Sequence, residues 1–201
     1  MPYSTSGKDA MLNALAALAG FASLHSAYPG NTGANEIAGG SPAYARKAKT
    51  WNASSSASVD DSNAPTFDVP ASTTVGWIGL WSAATAGTFY GYAPAGGTPL
   101  RYTADAATDF ITSVAHGLVN GDKVVFMNGA APAGLTEGTV YFVVNKTTDT
   151  FQVAATLGGA AINITATAQP ASSRVSKIVE EVFAAQGTYT ETDFDFDLLD
   201  T

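Results

Sequence analysis

Near the start of the chain Met11, Leu12, Leu15 and Leu18 recur at three- and four-residue spacing, the period of one helix face. Ser6 stands as a cap, with the Asp9 carboxylate three residues on near the positive helix end, and Gly20 closes the pattern. The spacing predicts one short amphipathic helix over 8–19, lying on a sheet of its own chain. From Phe21 the period changes to two. Phe21-Ala22-Ser23-Leu24-His25 reads as a strand, closed by the turn Tyr28-Pro29-Gly30-Asn31 and followed by a glycine-rich loop over 33–42. Tyr44 to Trp51 reads as the next strand, although Arg46 falls on the same face as Tyr44, Ala48 and Thr50. Beyond a serine-rich linker (52–58) come residues 64–69 and the turn Pro70-Ala71-Ser72. Thr74 to Trp81 is rich in β-branched and aromatic residues, with 87–92 as its hairpin partner across 83–86.

The segment 94–99, Pro-Ala-Gly-Gly-Thr-Pro, is the clearest boundary in the sequence. After it come short apolar runs around Asp109-Phe110-Ile111-Thr112, Lys123-Val124-Val125-Phe126, Thr139 to Asn145, Thr150 to Ala154 and Ile162-Asn163-Ile164. Asn120-Gly121 between two of them marks a tight turn, because both residues tolerate positive φ. Such a rhythm predicts a small β-barrel or sandwich. After Ser172-Ser173, residues 179–183 read as a strand. Residues 190–199 then alternate, with Phe194, Phe196 and Leu198 on one face and Asp193, Asp195 and Asp197 on the other. A terminal strand that apolar on one side needs a sheet to lie on. The expected fold is therefore mainly β: a β-sandwich with a short N-terminal helix, formed by 1–99 and 173–201, carrying an inserted small β-domain at 100–172. Insertion at a surface loop costs little closure entropy.

Composition narrows the function. Only 13% of residues are charged, against roughly 25% in a typical soluble domain. A surface of small neutral residues loses little on desolvation, which favours burial among neighbours and predicts a homo-oligomer. The net charge of −8 argues against nucleic acid as a partner. Seven of the seventeen carboxylates lie between Glu180 and Asp200. The chain has no cysteine, which removes disulfides and thiolate chemistry and fits assembly in a reducing host cytoplasm. No apolar run approaches the ~20 residues that span a bilayer, and the alanine-rich run 10–22 lacks the charge pattern of an export signal, so no membrane insertion is expected.

Two groups of residues resemble phage virion proteins. Ala22-Ser23-Leu24-His25, then Pro29 to Glu36, Tyr44-Ala45-Arg46-Lys47-Ala48, Trp51, Phe67-Asp68-Val69-Pro70-Ala71 and Gly79-Leu80-Trp81-Ser82-Ala83 are similar to a family of small β-sandwich proteins of tailed bacteriophages, often described as tail fibre or minor tail proteins. His116-Gly117-Leu118, Gly121-Asp122, Gly138-Thr139-Val140-Tyr141 and Asp149-Thr150-Phe151 resemble a module recurring in phage tail and baseplate proteins. The resemblance implies a virion structural protein with other virion proteins as partners, more at home in the tail, tail tip or fibre base than on the capsid surface as a decoration protein.

No motif supports catalysis. His25 and His116 are the only histidines, and the sequence sets no nucleophile or carboxylate beside either. Gly7-Lys8 lacks the first glycine and the Ser or Thr of a phosphate loop. The carboxylates of Asp193, Asp195 and Asp197 would stand about 7 Å apart along a strand, too far for one calcium ion, and Asp60-Asp61 is an equally weak cation candidate. No enzyme, cofactor or metal is expected. Trp51, Trp77, Trp81, Tyr90 and Tyr92 are the candidate core or interface aromatics. Trp77 and Trp81 share a sheet face with Gly79 between them. A host-surface glycan platform is the competing reading of these rings, and it requires them exposed.

Overall fold

The structure is a computed structural model describing residues 3–97, 99–127, 131–167, 174–192 and 194–198. In chain order it holds α1 (Thr5–Leu18), β1 (Phe21–His25), β2 (Lys47–Ala48), β3 (Ser58–Val59), β4 (Thr66–Val69), β5 (Thr73–Val75), β6 (Trp77–Trp81) and β7 (Phe89–Pro94). Then follow β8 (Leu100–Arg101), β9 (Thr103–Asp105), β10 (Phe110–Thr112), β11 (Lys123–Met127), β12 (Tyr141–Val144), β13 (Thr150–Ala154) and β14 (Arg174–Lys177). The last are β15 (Glu181–Phe183), β16 (Gly187–Thr190) and β17 (Phe196–Asp197). The fold is mainly β, with one short N-terminal helix. The chain divides into two compact units, 1–93 with 181–201, and 94–180.

In the first unit β2-β1-β6-β7 form a four-stranded sheet. Phe21 stands opposite Trp81, Ser23 opposite Gly79 and His25 opposite Trp77. Side chains alternate along a strand. Ala22, Leu24, Ile78 and Leu80 therefore enter one core, while Ser23, His25, Trp77, Gly79 and Trp81 take the other face. Facing the first set across that core are Phe67, Val69, Val75, Phe183 and Phe194, which come from a second layer. Two layers over one apolar core make a sandwich.

The second layer is built by the returning chain. β15 pairs with β5, β16 with β4 and β17 with β3, all antiparallel. Phe183 opposite Thr73 and Gly187 opposite Val69 keep one register through the turn, so 184–186 face 70–72. Before β17 the register slips by one residue, at a stretch where the Glu191 N–H still reaches the Pro65 carbonyl (3.1 Å). Phe194 is buried, Phe196 is half-buried and Leu198 is exposed. The alternation expected over 190–199 thus holds at its start and fades where pairing stops at Asp197. Asp193 and Leu199 lie outside the described residues.

Four local expectations are corrected. The helix begins three residues earlier than the sequence pattern suggests, capped by Ser4, whose hydroxyl accepts the Gly7 N–H (3.2 Å). Its packed face is also different: Leu12 and Ala16 are buried against Val59, Trp51 and Phe196, and Lys8 is buried as well, while Met11 and Leu18 are exposed. The rotation is held by Asp9, whose carboxylate accepts the Ser54 hydroxyl (2.7 Å) and the Ala57 N–H (2.8 Å) next to β3. The expected strand 44–51 shrinks to Lys47–Ala48, because Tyr44 and Arg46 spend their polar groups away from the ladder, as described below. The expected strand 74–81 breaks at Gly76, whose N–H donates to the His25 carbonyl (3.1 Å).

The second unit is a seven-stranded antiparallel sheet in the order β8-β14-β11-β12-β13-β10-β9. It wraps one core that includes Ile111, Val124, Phe126, Val143, Phe151 and Val175. Its two edge strands are consecutive pieces of chain, separated only by Tyr102. The sheet therefore curls until both edges lie on one segment, although no ladder joins β8 to β9 and it is not a closed barrel. β14 sits between β8 and β11, so 174–180 belongs to this unit and not to the returning sandwich segment. Ile162-Asn163-Ile164 forms no strand, yet Ile164 is in the core. The 94–99 boundary is a close crossing: a Cβ on Gly97 would lie 1.8 Å from the Lys177 carbonyl oxygen.

Candidate functional site

The polar face of the first unit's sheet gathers the residues that carry the phage resemblance. His25, on β1, is fully buried. Its Nδ1 lies 2.7 Å from the Ala34 carbonyl oxygen, and its Nε2 lies 2.7 Å from the Ser23 hydroxyl. Ser23 Oγ also accepts the Trp81 indole N–H at 2.9 Å. The proton positions follow from the donors. A carbonyl only accepts and an indole N–H only donates, so Nδ1 carries the proton, Nε2 accepts from Ser23, and Ser23 accepts from Trp81. The imidazole is neutral, and desolvation lowers its pKa, with the Arg46 charge acting the same way against the Ala34 hydrogen bond and the Glu36 charge.

This Ser–His pair resembles a nucleophile and its base, but it is closed. Gly79 faces it across the strand pair, and a Cβ there would fall 2.5 Å from His25 Nε2, 2.6 Å from Ser23 Oγ and 2.8 Å from the Phe89 ring. The chain of donors is a satisfied buried network.

Arg46 clamps the same face from outside. It donates to both Glu36 carboxylate oxygens (2.8 and 2.7 Å) and to the carbonyls of Ala83 (3.1 Å) and Ala86 (2.6 Å). Its guanidinium lies 3.4 Å from the centroid of a Trp81 ring. Tyr44 accepts the Leu24 N–H at 2.8 Å, and burial pushes its phenol well above the ordinary value. Above this clamp is an open hollow of about 410 Å³ bounded by Glu36, Tyr44, Arg46 and the 84–86 loop.

A second polar cluster lies in the same unit. The Lys49 ammonium is wholly buried and contacts both Asp61 and Glu191. Asp61 also accepts the Phe194 N–H at 3.2 Å. Lys49 Nζ lies 5.7 Å and 6.0 Å from the ring centroids of Trp51 and Phe194. Burial and then the charges of Glu191 and Glu181 push the nearby Tyr189 phenol up to about 12. Asp61, a cation candidate in the sequence, is thus occupied by a lysine. Nothing in the spacing of Lys49, Asp61 and Glu191 signals their meeting, since Glu191 arrives from beyond the second unit.

The aromatic candidates separate into two groups. Trp77 and Trp81 are buried, Trp77 within a cluster where Tyr28 and Tyr92 share a 2.7 Å hydroxyl–hydroxyl hydrogen bond. Neither indole offers a ring face to a sugar. Trp51 donates its indole N–H to the Ala19 carbonyl (2.8 Å) and packs on Phe194 and Phe196. Tyr90 and Tyr92 are half-buried on β7.

In the second unit His116 Nδ1 accepts the Leu118 N–H at 3.0 Å, and its ring packs edge-on to Phe151. A hollow of about 410 Å³ lies between 120–121, 143–145 and 157–161. Among the described residues no group of three or more His, Asp or Glu side chains is placed to hold a metal ion.

The family model described as Podophage GP4 fiber I protein gp80 matches residues 8–112. That span takes in α1 from Lys8 onward, β1 to β7 and the polar network, and ends on β10. No curated protein and no solved structure matches the chain.

Proposed function

The chain belongs to the Podophage GP4 fiber I protein gp80 family, a phage tail fibre family, and from that premise we propose that it is a non-enzymatic tail, tail-tip or fibre-base component that assembles with other virion proteins and with copies of itself. One observation carries the reading. In the matched span, the Ser–His pair and its neighbours are turned inward and satisfied by one another: Ser23, His25, Arg46 and Trp81 bind the loop 26–37 and the 83–86 turn to the sheet. Residues used in this way hold a scaffold together. They do not meet a substrate.

The low charge of the chain supports self-association, since few ions would lose water at a contact. Host attachment through Trp77 and Trp81 is disfavoured by their burial. Copy number per particle, from cryo-EM of the virion or a quantitative gel, tests the placement. The proposal expects a few to some tens of copies at the tail. Hundreds of copies spread over the capsid would replace it with a decoration role.

A further inference from the structure

Lys49, Asp61 and Glu191 meet in a site enclosed by rings. The Lys49 side chain is 0% exposed, that of Glu191 1% and that of Asp61 11%. Trp51 and Phe194 flank the ammonium, and the Asn63 carbonyl lies at 3.4 Å. One ammonium thus faces two carboxylates in a site of low exposure. Structural pairing alone requires one carboxylate. The second one gives the site the composition needed for a reaction: an amine in contact with both an acyl group and a base.

We propose that Lys49 and Asp61 form an intramolecular isopeptide bond with Glu191 as the proton carrier. Glu191 takes a proton from the ammonium and delivers it to an Asp61 oxygen, which leaves a free amine beside a carboxylic acid. The Lys49 nitrogen lone pair then attacks Asp61 Cγ. Charge developing on Oδ2 meets the Phe194 N–H, which already points at that oxygen. Glu191 next removes a proton from the nitrogen and passes it to the departing hydroxyl. The Cγ–O bond breaks, water leaves and the amide forms. Of the three ammonium hydrogens one stays on nitrogen and two leave in the water. No oxidant or other reagent enters, and Glu191 ends as it began.

Asp61 is the acyl partner because it carries the backbone donor and retains some exposure through which water can leave. Glu191 is the base because it is enclosed and touches the same ammonium. The bond would close residues 49–61 into a covalent loop. It would form only after the returning segment has paired through β16, since that pairing delivers Glu191. Cross-linking would thus mark the completed sandwich.

The test is the intact mass of the folded full-length chain after denaturation, followed by cleavage at Trp51, which separates Lys49 from Asp61. The expected result is a wild-type mass lower than the sequence mass by one water, with the two flanking peptides recovered joined through Lys49 and Asp61. Lys49→Arg, Asp61→Ala and Glu191→Gln should each show the full mass. A folded wild-type chain at full mass overturns the proposal. So does a water loss that persists in Lys49→Arg, or a link that maps to Glu191. The wild-type measurement decides even if a variant fails to fold.

Discussion

His25 is held neutral by its neighbours. A proton added at Nε2 would face the Ser23 hydroxyl, whose hydrogen would then have to turn away from Nε2, while Trp81 already occupies a lone pair. Desolvation acts in the same direction. The folded pKa is therefore below the ordinary 6.5. The stability this group contributes is fully present above pH 6.5 and declines as the pH falls towards the folded value, because the unfolded chain takes up a proton that the folded chain refuses. Between those values the loss reaches up to about 1.4 kcal/mol per pH unit. Denaturant titrations at several pH values should show that dependence in the wild type, and His25→Gln should remove that component. If both chains respond to acid equally between pH 5 and 6.5, the imidazole is not the group that titrates.

At the scale of the element, α1 is decided by what it packs on. Its helical spacing is plain in the sequence, but four large apolar residues offer more than one stripe. The burial of Leu12, Ala16 and Ala19, with Asp9 accepting from the Ser54 hydroxyl (2.7 Å) and the Ala57 N–H (2.8 Å), sets the rotation. Leu12→Ala should cost about 2–5 kcal/mol, as for other buried leucines. Met11→Ala, on the exposed side, should change the unfolding midpoint by no more than about 0.5 kcal/mol. Equal losses would restore the stripe that sequence spacing alone selects. The ladders β15–β5 and β16–β4 follow a similar logic. Val182 on β15 is exposed and Phe183 is buried, so local composition marks a strand but its partner comes from more than 100 residues earlier in the chain.

At the scale of the whole molecule, the chain divides into two compact units. The core of the second unit draws its described members from within 94–180, and its edge strands share the segment 100–105. A fragment spanning 94–180 should therefore fold alone, with cooperative unfolding and dispersed amide resonances. The first unit should not fold without 181–201, because that segment supplies β15 to β17 and with them Phe183 and Phe194 of its core. A 1–93 fragment that unfolds cooperatively would show the returning segment to be an accessory. The fibre family implies service inside a particle, and a sandwich sealed by a late-arriving segment suits a protein that must finish folding before it assembles.

What the sequence determined by itself was periodic or local. Period two across Phe21–His25 and Trp77–Trp81, the turn at Asn120-Gly121 and the phage-like motifs depend on neighbours in the chain, and these are legible one residue after another. Glycine at 79 between two tryptophans also gave a true hint of close packing. Tertiary structure alone decided the rest. The face of α1 was chosen by the surface it met, the 44–51 strand was shortened by side chains with better partners elsewhere, and 174–180 was drawn into the second sheet by β8 and β11. The Lys49–Asp61–Glu191 meeting has no sequence signature at all, because contact between residues 142 positions apart is set by how the whole chain folds back on itself, and no local pattern encodes that distance.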